Sequence, residues 1–357
     1  MKKMRLEQYL GIDYFLLLSV ILSLNIHCKS PSLDRPLELK LSISFPATHP
    51  FTVNAYEVWA KKVGDVTDGR VKINIFPGGI LTSVADSYDA TRRGACDMAM
   101  LVQPYEEKRF PLTMIMNQPL SIPNARVSSL VAWELYQSFP EIRREYKDVK
   151  LLFFYSTSAY QIHTVSKPIN TIEDFHGVLM RVGGPVDKAI AEAVGATPEF
   201  LPMPDTYLAL GKGVLDALMS PFGPMKGFRT ADVTRFHLEN ADLHTSIFAN
   251  IMNLDKWNSL PRDIQEAIEE ISGAAASEFF GSVFDETDRE TIQYMKEQGD
   301  FFTRLSPDQK SKLEQLLLVI QEEWVKEQEA NGLPGQKILD KALRMTKEYT
   351  SGELRAK

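Results

Sequence analysis

An arginine sits inside an apolar run, in the segment Gly177-Val178-Leu179-Met180-Arg181-Val182-Gly183-Gly184-Pro185. Val178 to Val182 reads as a buried strand, and Gly183-Gly184-Pro185 as the turn that hands it to a helix. A guanidinium stays charged at any ordinary pH and presents a planar fork of donors. Left unpaired in an interior it is costly, so something anionic must meet Arg181. Two partners satisfy that demand. One is an Asp or Glu of the chain itself; the other is a ligand carboxylate held bidentate at the end of the strand.

Other reactive residue types show no catalytic or metal spacing. There is no H-E-x-x-H and no Cys/His cluster, so no metal site is expected. No G-x-S-x-G elbow occurs. Gly211-Lys212-Gly213 lacks the upstream glycine and the following Ser/Thr of a phosphate-binding loop. No cofactor is expected. Of the two cysteines, Cys96 lies in the apolar run Gly94–Met100 and reads as a small buried hydrophobe, so a disulfide framework is not expected.

The elements that would position Arg181 follow from periodicity. Leu37, Leu39, Leu41, Ile43 and Phe45 alternate as a first strand. A helix is expected over about 54–66, a strand over 71–76, a helix over about 84–93 and a strand over 96–102. Strands at 150–155 and 160–165 follow, then a helical turn at 172–177, the arginine strand and a helix over about 186–194. Asp205 is expected to cap a helix ending near Gly211, and Val214 to Met219 to form a further strand. Strands alternating with helices imply mostly parallel sheets with right-handed crossovers, an α/β class. The C-terminal third reads as helical. One long helix should begin at Pro261 and carry Ile264, Ile268, Ile271 and Ala275 on one face; another should be capped by Ser306 with Pro307 in its first turn.

At 357 residues, 44% of them hydrophobic, the chain can build two cores, and its net charge of −7 argues against a nucleic-acid partner. Lys2, Lys3 and Arg5 precede an apolar stretch, Tyr14–Leu24, too short to span a bilayer comfortably. Leu24-Asn25-Ile26-His27-Cys28 is similar to a bacterial lipobox, although His27 stands where a small residue is usual. Residues 1–28 are therefore expected to be a signal peptide or lipoprotein leader, with Cys28 as the lipidated residue, and 29–36 a tether. The folded part is expected outside the cytoplasmic membrane.

Several segments, in order and spacing, resemble the periplasmic solute-binding proteins of tripartite ATP-independent (TRAP) transporters, the DctP family. They are Lys167-Pro168-Ile169-Asn170-Thr171-Ile172-Glu173-Asp174-Phe175-His176-Gly177, Met180-Arg181-Val182, Val194-Gly195-Ala196-Thr197-Pro198, Met203-Pro204, Tyr207-Leu208-Ala209-Leu210, Gly213-Val214-Leu215-Asp216-Ala217 and Ser220-Pro221. The N-terminal half is similar through Thr67–Val71, Phe76-Pro77 and Arg93–Met98. The resemblance implies a two-lobed, type II-like binding protein with an interlobe cleft, crossing strands and a long spanning helix. Lobe I would hold 37–158 with about 247–286, and lobe II 159–246 with about 287–350.

It further implies that Arg181 binds the carboxylate of a small organic acid, and that the protein is no enzyme. The acid would pass to the small and large membrane permease subunits, or to a sensor kinase. Two positions depart from the family's pattern: Gln161 stands where a second arginine is usual, and Ser220 where an asparagine is usual. One strong anionic contact rather than two is implied, so a monocarboxylate or small sulfonate becomes as plausible as a dicarboxylate. Met203, Phe222 and Phe248 are candidate apolar walls, and His49, Thr48 and Gln103 candidate cleft residues on loops. Tyr207 and Asp216 read as structural. Asp174, His176 and Arg181 make an imaginable catalytic set, but His176 is expected to point away from the cleft.

Overall fold

The computed structural model describes residues 35–352. Cys28 and the expected leader lie outside the described residues. The chain opens with β1 (Leu37–Ser42), α1 (Val58–Val66), β2 (Val71–Phe76), α2 (Ser87–Arg92), β3 (Met98–Val102), α3 (Ala125–Ser138) and β4 (Val149–Ser156). It continues with β5 (Gln161–Thr164), β6 (Leu179–Val182), α4 (Pro185–Ala193), β7 (Thr197–Phe200), α5 (Met203–Gly211), β8 (Ala217–Ser220), β9 (Phe236–Leu238) and β10 (Ile247–Asn253). The last elements are α6 (Arg262–Glu270), α7 (Gly273–Glu297), β11 (Phe301–Thr303), α8 (Pro307–Ala330) and α9 (Gly335–Ser351).

These strands form two sheets, ordered β2-β1-β3-β10-β4 and β11-β9-β5-β8-β6-β7. In the first, β1 runs parallel to β3, while β10 enters antiparallel between β3 and β4. In the second, β6 lies parallel to both β7 and β8, and β5 is antiparallel to β8 with Gln161 opposite Ser220. Each sheet has its own core. Leu101, Phe154 and Ile251 pack with Leu130 and Val131 of α3 in one; Met180, Val182 and Ile190 pack with Leu313 of α8 in the other. Fully burying such an aliphatic or aromatic side chain contributes about 1.5–3 kcal/mol each.

Two segments cross between the sheets, β4 to β5 through 157–160 and β9 to β10 through 239–246. They are stitched together at the crossing. Thr157 N donates to Ser246 O (2.9 Å), Tyr160 N to His244 O (2.7 Å) and Leu243 N to Tyr160 O (3.0 Å). The third link is α7, 25 residues long. On one side its Asp285 accepts the amides of Ala125 (2.7 Å) and Arg126 (3.1 Å) at the start of α3. On the other its Asp288 accepts the amide of Gly223, just past β8. The helix therefore touches elements of both sheets.

The two-lobed α/β architecture with crossing strands and a spanning helix is as expected; several details differ. The helix beginning after Pro261 stops at Glu270, and the spanning helix restarts at Gly273, whose φ is 55°. A Cβ there would lie 2.9 Å from the Trp133 ring, so the periodicity ran across a break that close packing imposes. Asp205 sits inside the first turn of α5 rather than at its cap; Pro202 occupies that position. Ser306 caps α8 through Gln309 N, as expected, and the Gln309 side chain accepts from Ile172 N. The C-terminal stretch divides. Leu313 and Leu317 join the second core, whereas Trp324, Val325 and the apolar face of α9 (Ile338, Leu339, Ala342, Met345) join the first.

Candidate functional site

Strand alternation decides what Arg181 faces. Met180 and Val182 point into the second core, so Arg181 and Gly183 share the opposite face of β6. Arg181 is 3% exposed. Its Nε donates to Leu201 O (2.7 Å), Nη1 to Met219 O (3.4 Å) and Nη2 to the Tyr105 hydroxyl (3.3 Å). No Asp or Glu among the described residues forms an ion pair with it. Carbonyl and hydroxyl dipoles hold the fork in place without neutralising it.

Two glycines make this arrangement possible. A Cβ on Gly183 would lie 2.9 Å from Nη2 and 3.0 Å from Nη1, so any larger residue would displace the guanidinium. A Cβ on Gly184 would lie 2.9 Å from Pro104 Cβ, on the loop after β3. The turn thus lets the two halves of the molecule touch beside the arginine. Asp187, in the first turn of α4, closes the turn: its Oδ2 accepts from Gly183 N (2.7 Å) and its Oδ1 lies 2.7 Å from His244 Nε2. Burial would raise this carboxyl, but His244, with Arg181 and the Gly183 amide adding to it, holds it below its ordinary value.

Arg181 forms one wall of a cavity of about 660 Å³, counting its open mouth. The first sheet's half contributes Ser44, Phe45, Tyr105 and Phe248; the second contributes Met203, Ser220, Pro224 and Phe228. Thr157, Tyr160 and Ser246 come from the crossing segments and Phe284 from α7. Among the lining residues only Arg181 and Asp187 carry formal charge. Phe45 packs against Phe228 (5.9 Å between centroids) and Phe248 (6.4 Å), so part of the cavity wall is aromatic.

Of the residues singled out from sequence, Arg181, Ser220, Met203 and Phe248 line this cavity. The others lie elsewhere. Gln161 turns into the 241–242 turn, where Nε2 donates to Asp242 Oδ1 (2.8 Å) and Oε1 accepts from Ala241 N (2.8 Å). Phe222 packs in the core on His163, 4.8 Å between centroids. Gln103 is fully buried and donates to the Tyr146 hydroxyl (3.2 Å). Thr48 is exposed. His49 lies one layer behind the wall, against Phe45 (4.6 Å) and Phe228 (5.3 Å). His176 lines a different, polar surface pocket with Asp174, away from Arg181.

Sequence reasoning missed Tyr105, Asp187, Tyr160, Phe45 and Phe228. Asp187 left a signal: an acid in the first turn right after Gly-Gly-Pro is placed to meet that turn's free amides. The aromatics left none, because each comes from a different loop.

His49 carries a pH prediction. Burial pushes its pKa down to about 4. Such a group is neutral in both states above the unfolded value of about 6.5. Below that the unfolded chain takes the proton first, so stability is lost as pH falls from about 6.5 towards 4, by about 3 kcal/mol from this residue. Urea unfolding of His49→Gln should show a visibly smaller loss over that window than the parent chain. An equal loss would remove His49 as a source of the acid sensitivity.

The profile described as bacterial extracellular solute-binding protein, family 7 (DctP), matches residues 41–328. The C4-dicarboxylate-binding periplasmic protein DctP of Rhodobacter capsulatus is 24% identical over 313 residues, 84% of this chain and 90% of that protein. A TRAP periplasmic solute-binding protein of Bordetella bronchiseptica, solved with bound (R)- and (S)-mandelate, is 28% identical. It superposes with a TM-score of 0.82 over 88% of this chain and 100% of that one. A marine-metagenome TRAP solute-binding protein from an unidentified microbe, solved with meta-hydroxyphenylacetate, is 25% identical with a TM-score of 0.83 over 88% and 99%.

Proposed function

The chain belongs to the bacterial extracellular solute-binding proteins of family 7, the TRAP solute-binding proteins, and from that premise we propose that its ligand is a small aromatic monocarboxylate clamped by Arg181. Members of this family are the substrate-binding components of transport, not enzymes. The observation that carries the ligand reading is the buried guanidinium with no acid of its own, opening on an apolar, aromatic-walled cavity. A carboxylate accepting from Nη1 and Nη2 would supply the missing anion and complete a bidentate pair. The rest of the ligand would lie among Phe45, Phe228, Phe248 and Met203, where a flat ring buries more apolar area than a short polar chain. The two similar structures with mandelate and meta-hydroxyphenylacetate support an aromatic acid.

The polar contacts are few. Ser44, Thr157, Ser220 and Ser246 offer hydroxyls but no second charge. A dicarboxylate would leave its second charge buried and unpaired, which is costly. Capture would take place outside the cytoplasmic membrane, with the acid handed to the small and large TRAP permease subunits. Among the described residues no helix is long and apolar enough to cross a membrane.

A thermal-shift series tests the reading. A ligand that binds only the folded state raises the melting temperature with occupancy. Mandelate, benzoate and hydroxyphenylacetate are expected to raise it by several degrees and succinate by less. A larger shift with succinate would overturn the aromatic monocarboxylate.

A further inference from the structure

Tyr105 supplies the hydroxyl in contact with Arg181, and it comes from the other half of the molecule. It follows β3 of the first sheet, whereas Arg181 lies on β6 of the second. The phenol oxygen is 3.3 Å from Arg181 Nη2 and 3.3 Å from Met203 N, at the start of α5. Both neighbours are N–H groups that can only donate, so the oxygen accepts from both and its lone pairs are used. Its own proton must then point elsewhere. Among the described residues no protein atom takes that proton, and Tyr105 lines the cavity. Arg181 leaves a matching remainder: a guanidinium has more N–H donors than the three taken by Leu201 O, Met219 O and Tyr105.

We infer that the Tyr105 hydroxyl is a second donor to the ligand's carboxylate, a specificity-determining contact that the first sheet's half brings to Arg181. This rests on the reading that Arg181 binds the carboxylate. An acid group seated on the free N–H groups of Arg181 lies beside the phenol proton, and an O–H donated to a carboxylate oxygen is a charge-assisted bond. The contact brings no charge of its own, so it suits a single anion.

Other polar groups of the lining are already committed. The Thr157 hydroxyl donates to Ser158 O (2.8 Å) and accepts from Ser246 N (2.9 Å), and the Ser220 hydroxyl donates to Pro221 O (2.8 Å). Tyr105, by contrast, is held in place through its ring and its neighbours. The ring meets Phe200 edge-on, 5.7 Å between centroids. Pro104 abuts Gly184, and the Glu106 carboxylate accepts from Arg109 Nε (2.9 Å). Because the hydroxyl reaches Arg181 only across the contact between the two halves, the acid group finds all its donors only where the halves meet. Recognition of the carboxylate and closure are thereby joined in one side chain.

The test uses the full chain, with benzoate as probe in calorimetry. Tyr105→Phe keeps the ring against Phe200 and removes only the hydroxyl. It should weaken benzoate by about 10- to 100-fold, with the melting temperature of the unliganded chain near the parent's. Replacing Tyr105 by 3-fluorotyrosine separates donating from orienting. Fluorine makes the O–H a stronger donor and the oxygen a poorer acceptor, so at about pH 6, where a phenol keeps its proton, affinity should match or exceed the parent's. A fall towards the Tyr105→Phe value means that the hydroxyl only orients Arg181, and it overturns the donor role. So does Tyr105→Phe binding benzoate as tightly as the parent. If Arg181→Met binds benzoate as well as the parent does, the carboxylate reading itself fails. If Arg181→Met loses binding while Tyr105→Phe does not, only the role of Tyr105 fails. If the parent ignores benzoate, formate takes its place in a nuclear magnetic resonance titration of the same variants, because any acid held this way presents the same group. A parent that ignores formate as well overturns both.

Discussion

Arg181→Ala should weaken the bound acid by about 2–5 kcal/mol, roughly thirty- to several thousand-fold in Kd. The magnitude follows from what surrounds the guanidinium. Arg181 is 3% exposed, so its attraction for a carboxylate is little screened. Its orientation is fixed beforehand by Leu201 O and the Tyr105 hydroxyl, so the ligand spends little on ordering it. Arg181→Lys should recover only part, because an ammonium cannot hold Leu201 O and present a planar fork together. Arg181→Met separates binding from folding. It removes a buried, unneutralised charge and keeps the apolar stem, so thermal stability should stay near the parent's while binding is lost. Calorimetry with mandelate, together with melting curves, reads both. Unchanged affinity in the alanine and methionine variants would remove Arg181 from the site.

Strand alternation and turn chemistry made much of this legible. The arginine strand, the Gly-Gly-Pro turn and the following helix were readable because three local signals agree there, and the structure places them at β6 and α4. Short strands were not. β7, β9 and β11 are three or four residues long, too short for periodicity to register, and β10 is buried on both faces, so it shows no alternation. β10 also makes the first sheet mixed, which a reading of alternating strands and helices does not foresee.

At the site, the charged group was legible because a charge in an apolar run demands a partner. The polar candidates were not, because nothing local says whether an amide serves a ligand or a neighbouring turn. Gln161 satisfies both ends of its amide on the 241–242 turn, about eighty residues away in sequence. Asp187 is illegible for the converse reason: an acid in a first helical turn looks like ordinary capping, and the His244 that meets it comes from a crossing segment distant in sequence.

Gly227→Ala should cost about 4 kcal/mol against the conformation that encloses the ligand, roughly a thousand-fold in affinity, while leaving each half folded. Gly227 ends the short helix Gly223–Gly227 and its φ is not positive, so backbone freedom is not why glycine stands there. Proximity is. A Cβ at this position would lie 2.0 Å from His49 Cδ2 and 2.4 Å from Nε2. The imidazole cannot swing aside: it is 1% exposed, wedged between Phe45 and Phe228, with Nδ1 accepting from Phe51 N (3.1 Å). His49 belongs to the loop after β1 and Gly227 to the segment after β8, so the clash falls between elements of the two sheets. Separating the halves relieves it without unfolding either core. The variant should therefore scatter X-rays as a more extended particle and bind mandelate weakly, with a melting temperature close to that of the unliganded parent. Adding His49→Ala in the same chain removes the ring that the new methyl strikes, and it should restore compactness and much of the affinity. If Gly227→Ala binds like the parent, the contact between His49 and Gly227 is not part of closure. If the double variant stays as weak as the single, the obstruction lies somewhere other than the imidazole.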